Sequence, residues 1–440
     1  MTYFFETYGC QMNSAESAAL TLVCKERGWR EAENGEDSDL VLLNTCSVRL
    51  TAEKRALGRI AHYAGLKKKG SSFTLVIAGC MAQRQGSSLI KKIPQIDYVM
   101  GTAARGNFPL ILEAAEKGVK AELDVNENAV FSFSQSHLEK EGQFRSFVPI
   151  MHGCNRFCAY CIVPYVRGRE VSRSPENILN EIRVVGERGV REVTLLGQNV
   201  NSYCWEKDDT DFSGLLKIIA KEAEKSGVKW IRFLSANPAN FSQKTVEVLA
   251  QNSVFCRHIH LPVQSGSDAV LKAMNRGYTS RQFIELAGNI RAAMPGITLS
   301  TDILTGFPGE TEDDFKETLG LMEEIRFLYS YMYHFNPREG TKAFDLPGRI
   351  DDGVKKERLS RVINLQKKHT GILLKSRIGS AETVLIEGIS RKNADELITR
   401  TEKDEMAAVP GSRSMIGRFA KITLSSVKGN TFRAKDLIII

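Results

Sequence analysis

Hydrophobic and polar positions along this chain alternate between two modes. Short apolar runs at residues 3–7, 40–44 and 73–78 predict buried strands. The stretches between them, 14–27, 51–66 and a segment ending in 89–92, carry apolar residues at helical spacing. On the first of these helices Leu20, Val23 and Cys24 fall on one face. Alternation of this kind predicts an α/β domain, a doubly wound parallel sheet over residues 1–140. The polar, aperiodic stretch 131–144 reads as the linker out of it. A second series over 145–375 offers strands at 147–151, 192–196, 230–234, 258–261, 299–304 and 331–335. Helices are predicted between them at 175–187, 212–225, 280–293 and 311–325. Six such units make a partial (β/α)6 barrel, in which chemistry belongs at the C-terminal strand ends. From 376 to 440 short β-like runs, punctuated by Gly388, Gly411, Gly417 and Gly429, predict a small β-barrel separable from the rest.

Composition narrows the class. Among 440 residues, 42% are hydrophobic and 25% charged, as in ordinary globular proteins. No run of about 18 apolar residues predicts a membrane span, and the first residues lack the pattern of a signal peptide. Nine cysteines, an odd number, do not read as a disulfide framework. Thiols kept for metal chemistry fit a reducing cytoplasm, so a cytoplasmic location is expected. The net charge of +8 hints at a polyanionic partner. Its densest source is 353–377, where Lys355, Lys356, Arg358, Arg361, Lys367, Lys368, Lys375 and Arg377 face a single acid, Glu357, on a helix with Leu359, Val362 and Ile363 as its apolar stripe.

Six cysteines form two sets. Cys154, Cys158 and Cys161 make a C-x₃-C-x₂-C run directly after the first strand of the second series. Structural zinc wants four ligands, and His152 has no partner histidine at zinc-finger spacing. A 4Fe–4S cluster on three thiolates instead leaves one iron able to chelate S-adenosylmethionine, whose reductive cleavage is the cofactor's own chemistry. Tyr160 would then lie near the adenine. Gln198, Asn199, Ser235, Gln264 and Thr305, each following a strand, could bind the rest of that molecule, or simply satisfy local turns. The second set, Cys10, Cys46 and Cys80, is dispersed at nearly even intervals, each between a strand and a helix. In a parallel sheet those turns share one edge, where helix N-termini would lower thiol pKa values. Buried cysteines meeting there by coincidence is the competing reading. Cys24, Cys204 and Cys256 read as structural, as do His260 and Asp302.

The compact run resembles the radical S-adenosylmethionine superfamily, and residues 153–173 are similar to its methylthiotransferase branch. So are Gly9-Cys10-Gln11-Met12-Asn13, residues 44–49, 78–80 and 198–203, the run from His260 to Ser267, and Gly306-Phe307-Pro308-Gly309-Glu310-Thr311. The likeness spans essentially the whole chain, with Ala159 and Glu339-Gly340-Thr341-Lys342 departing from the usual pattern. It implies a second 4Fe–4S cluster, on Cys10, Cys46 and Cys80, that carries sulfur. It implies two molecules of S-adenosylmethionine, one a methyl donor and one a radical source. The implied reaction is methylthiolation of carbon 2 of N6-isopentenyladenosine at position 37 of tRNA. Sibling enzymes act on a threonylcarbamoyl adenosine or on a ribosomal aspartate, and a non-catalytic RNA-binding protein is a further alternative. Residues 7–13 and 198–203 favour the isopentenyl branch. The C-terminal module resembles a TRAM domain, which implies Arg391 and Arg418 as RNA contacts; Lys367 and Lys368, in the basic stretch ahead of it, fit phosphate contact or simply a solvated helix face. A flavodoxin- or ferredoxin-like electron donor and a monomeric state complete the expectation.

Overall fold

The computed structural model describes residues 1–48, 50–119 and 142–440, so most of the linker expected at 131–144 lies outside the described residues. In the first unit β1 (Thr2–Thr7), β2 (Leu40–Thr45), β3 (Thr74–Gly79) and β4 (Tyr98–Met100) pair in parallel in that order, with Arg30–Glu31 as a short edge beside β1. Every residue of β2 is buried, as a central strand covered on both faces requires. Its alternation divides two cores. Leu40 and Leu42 join Leu20 and Cys24 on one face, while Val41 and Leu43 join Ala56 and Ile60 on the other.

The second unit holds β5 (Arg145–Pro149), β6 (Glu192–Leu196), β7 (Trp230–Phe233), β8 (His258–His260), β9 (Thr298–Thr305) and β10 (Tyr329–His334). The first three pair in parallel, as do the last three. Bonds from Ile231 N to Val254 O (2.8 Å) and Cys256 N to Ile231 O (3.0 Å) join the halves into a six-stranded partial barrel. The strand expected at 147–151 is broken: Met151–His152 instead pairs antiparallel with Val171–Ser172. That ladder closes the base of the loop that carries Cys154, Cys158 and Cys161.

The third unit is a closed barrel of β11 (Ala381–Ser390), β12 (Asn393–Thr401), β13 (Met406–Pro410), β14 (Phe419–Lys428) and β15 (Thr431–Ile439), in the order β11-β12-β13-β15-β14. Rather than standing apart, it packs on the N-terminal end of the partial barrel. Arg232 donates to the carbonyls of Thr401 (2.9 Å) and Glu402 (3.0 Å), and Thr298 Oγ1 to that of Lys403 (2.7 Å). Asp404 accepts from Tyr329 and from Arg400. Arg145 binds Glu192 and Glu387, and Trp230 packs edge-on to Phe419 at 4.8 Å. Arg145, Trp230, His258, Thr298 and Tyr329 are the first residues of five of the six strands, and each touches the third unit. Burial there pushes the His258 imidazole down to about 3, so it is neutral and serves as a hydrogen-bonding strut.

The basic helix Asp352–Lys375 also differs from expectation. Of Leu359, Val362 and Ile363 only Val362 is buried, beside Lys355, Arg358, Gln366, His369, Thr370 and Leu374. Arg358 is spent on Glu310 (2.7 Å), Lys355 on Asp352 (3.1 Å) and Arg377 on Glu405 (2.9 Å). These three cations are internal ties rather than free phosphate contacts. Among the described residues, no helix is long and apolar enough to cross a membrane.

Candidate active site

The compact cysteine loop is shaped by unusual backbone. Gly153, at φ +79°, lies where a Cβ would sit 1.9 Å from the carbonyl oxygen of Arg169. Its N–H donates to Gln198 Oε1 at 2.6 Å, and Cys154 N donates to Gly168 O at 3.1 Å. Phe157 takes the left-handed conformation at φ 46°, under the Arg169 guanidinium at 4.6 Å. Asn275 bonds the carbonyls of Arg156 and Phe157, each at 3.2 Å. Gly153→Ala should therefore cost roughly 1–3 kcal/mol of local strain and halve the iron bound per chain while leaving the dispersed site loaded. Full iron content in that variant would contradict this reading of the loop.

Arg276, which sequence reasoning missed, is the buried cation of this site. Its Nη1 lies 3.4 Å from both Cys158 Sγ and Tyr160 Oη, and Nη2 donates to Pro262 O at 2.6 Å. Only its place in a Met-Asn-Arg-Gly run after a short helix could have singled it out. Glu170 is a second omission: its Oε1 accepts from Asn155 N (3.1 Å) and Asn199 Nδ2 (2.8 Å), tying the cysteine loop to the turn after β6.

The five polar residues proposed around S-adenosylmethionine are placed differently from one another. Gln198 is half-buried and holds Gly153; Asn199 is buried, with Oδ1 lacking a hydrogen-bond partner among the described residues. Ser235 and Gln264 follow β7 and β8 in the left-handed region, at φ 64° and 76°, a strain that concentrates at working sites. Thr305 is buried and bonds Tyr333 O at 3.4 Å, the contact of a strand-register residue. Ala159, one of the two departures in sequence, packs with Met274, Phe307 and Phe335. Its carbonyl accepts from Ala343 N at 2.7 Å, so the second departing loop closes onto the first.

Cys10, Cys46 and Cys80 follow β1, β2 and β3 directly at one edge of the first sheet. Cys10 is exposed; Cys46 and Cys80 are buried. A buried amide network supports them: Cys10 Sγ donates to Asn13 Oδ1 (3.3 Å), Asn13 Nδ2 to Asn44 Oδ1 (2.9 Å), and Asn44 Nδ2 to Ser17 Oγ (3.1 Å). Gly79, at φ +92°, lies where a Cβ would meet Asn44 Oδ1 and Thr45 O at 2.5 Å. Only glycine lets the three turns come this close. The expectation of lowered thiol pKa values fails at Cys80, where burial pushes the thiol up to about 11, as it also does at Cys154 of the compact run. Low local dielectric outweighs the helix termini, so it is a bound metal that would make them thiolates.

The two sites meet. Cys80 packs on Ile162 and Val166, directly after Cys161, and Thr102 Oγ1 donates to Val166 O at 2.6 Å. Met12 and Ala15, just past Cys10, pack on Leu196 at the end of β6. The donor sets are three thiols each, one fewer than structural zinc takes and the number that leaves one iron of a 4Fe–4S cluster open.

Comparison with known proteins agrees with this geometry. The Radical SAM superfamily model matches residues 148–322, the model described as Uncharacterized protein family UPF0004 matches 2–101, and the TRAM domain matches 375–436. The tRNA-2-methylthio-N(6)-dimethylallyladenosine synthase of Treponema denticola is 49% identical, over 99% of this chain and 99% of its own length. Its namesake from Geobacter sulfurreducens is 40% identical over 96% of this chain and 94% of its own. The chain belongs to this synthase family. Among solved structures the cobalamin-bound radical S-adenosylmethionine methyltransferase TsrM from Kitasatospora setae shares the fold, with TM-score 0.59, 14% identity and coverage of 78% of this chain and 77% of its own.

On the RNA side, Lys367, Lys368, Arg391 and Arg418 are all exposed, unlike the three tied cations of the same basic run. Changing Lys367 and Lys368 to Gln should flatten the slope of log affinity for tRNA against log salt by roughly one to two units, if each meets a phosphate. An unchanged slope would remove both from the RNA footprint.

Proposed function

We propose that this chain methylthiolates carbon 2 of N6-isopentenyladenosine at position 37 of tRNA, consuming two molecules of S-adenosylmethionine. The observation that carries the proposal is the meeting of two three-thiol sites across one interface. Cys154, Cys158 and Cys161 would hold one 4Fe–4S cluster and Cys10, Cys46 and Cys80 the other. When bound, these groups supply the electron that cleaves S-adenosylmethionine and the carrier of sulfur.

The chain's own residues do the rest. Arg276 lies against Cys158 and Tyr160 and holds the mouth of the barrel in place through Pro262. Gln198, Asn199, Ser235 and Gln264, at the C-terminal strand ends, would bind the ribose and amino-acid parts of S-adenosylmethionine. Ser330 bonds Gln366 of the outer helix, so alternation turns Tyr329, Tyr331 and Tyr333 into the barrel. Tyr329 stacks on His258 at 5.3 Å and Tyr331 meets His260 edge-on at 5.6 Å. Tyr331 and Tyr333 remain 49% and 42% exposed, an aromatic wall for a base unstacked from its loop. His260 Nε2 lies 3.6 Å from Asp302 on the same wall. The carbon–hydrogen bond attacked has no acid–base route, so the site needs positioning more than proton transfer. The enzyme is proposed to act as a monomer in the cytoplasm with a flavodoxin- or ferredoxin-like electron donor. Mass spectrometry of tRNA nucleosides from cells with and without the gene tests the reading. Loss of the 2-methylthio group with the isopentenyl group retained is expected; an unchanged profile would overturn it.

A further inference from the structure

Glu16 and Arg167 come from different domains and pair in near-complete burial. Nη1 and Nη2 of Arg167 reach Oε1 and Oε2 of Glu16 at 2.6 and 3.3 Å, with the side chains 3% and 2% exposed. Arg105 adds a second cation on Glu16 at 3.1 Å. Arg167 also faces His152 Nδ1 at 3.5 Å. The position is singular. Arg167 ends the helix Val163–Arg167 that follows Cys161, its neighbour Val166 packs on Cys80, and its head binds the helix Gln11–Glu26 that starts at Cys10.

Burying an arginine is costly, and an apolar pair of similar volume would usually stabilise an interface as well or better. A charge kept in such a place suggests a specific electrostatic need. Three thiolates around a cluster supply one, because the assembly they hold is anionic. A second tie points the same way. Arg338, just after β10, binds Glu53 at 3.3 Å and the carbonyl of Val48 at 3.1 Å, two residues past Cys46. Arg84 shares that Glu53 one helical turn beyond Cys80, with its Nε buried and without a hydrogen-bond partner among the described residues.

We propose that Arg167 is a positioning and charge-balancing residue for the site on Cys10, Cys46 and Cys80: its guanidinium, oriented by Glu16, offsets the negative charge of the cluster held there and so raises that cluster's reduction potential. The inference rests on the cluster reading of those cysteines. A nearby cation favours the more negative, reduced state, and net charge is one of the levers on cluster potential.

The test is a redox titration, followed by electron paramagnetic resonance, of the full chain with Cys154, Cys158 and Cys161 changed to Ala, which leaves only this cluster. Arg167→Gln should lower the midpoint potential. Glu16→Gln, which removes a negative charge at almost the same volume, should raise it. Arg167→Lys should restore most of the parent value. A residue that merely holds the domains together would move the first two variants in the same direction or not at all, and either outcome overturns the proposal. If Arg167→Gln loses its iron, the Glu16→Gln and Arg167→Lys shifts still decide. Absence of iron from the parent would overturn the function proposed above as well; iron present without opposite shifts overturns this inference alone.

Discussion

Cys46→Ala should still cleave S-adenosylmethionine to 5′-deoxyadenosine yet form no methylthiolated nucleoside, while Cys158→Ala should lose the cleavage itself. The two residues serve different loops. Cys158 sits in the C-x₃-C-x₂-C turn against Arg276, and its removal leaves that buried cation without the sulfur it faces. Cys46 follows β2 on the other side of the interface, where its sulfur accepts from Val48 N at 3.3 Å. Nothing in the barrel's own core depends on it. The expected loss is complete in each case, but of different products, measured by chromatography of the same anaerobic reaction. Equal loss of 5′-deoxyadenosine in both variants, with each folded and retaining its other cluster, would refute the division of labour.

Deleting residues 378–440 should unfold or aggregate the chain rather than yield a clean enzyme without its RNA-binding module. The deletion strips Arg232 of two carbonyl acceptors and Arg145 of Glu387, and it uncovers Trp230 and Cys256, which pack with Leu385 and Phe419. Arg145 and Arg232 both keep Glu192, so the loss is chiefly of apolar burial, roughly 1.5–3 kcal/mol for each large side chain uncovered, a sizeable share of a domain's stability. Thermal unfolding of the truncated protein should show a midpoint lowered by well over ten degrees, or no soluble protein at all. A truncated chain melting with the parent would show that the contacts at these strand starts contribute little. The RNA question is better put to Arg391→Gln and Arg418→Gln, whose side chains are exposed.

What the sequence made legible was what local pattern encodes. The strand Glu192–Leu196 and the helices Pro175–Glu187 and Ser280–Ala293 stand where apolar spacing put them, because each combines a clean period with a recognisable boundary: the Ser174 cap with Pro175, or the Thr279–Gln282 capping box. The three cysteine turns of the first sheet were legible for the same reason. The strands Asn393–Thr401 and Met406–Pro410 were not, since charged and polar residues at 393–396 and an alanine pair mask their alternation. The buried polar face of Asp352–Lys375 was misread because Arg358 and Arg361 find acids outside the helix, Glu310 and Glu312. Arg276 and the Glu16–Arg167 pair were invisible for a deeper reason. Their partners are separated by more than a hundred residues, and no local period announces such a contact.

The account stands on two three-thiolate sites in one chain, each holding an open cluster. Iron analysis of protein reconstituted anaerobically tests this most directly. About eight irons per chain are expected, four for each cubane. Changing Cys154, Cys158 and Cys161 together to Ala should leave about half of them. A protein that holds only zinc, or iron unaffected by the triple change, would contradict it.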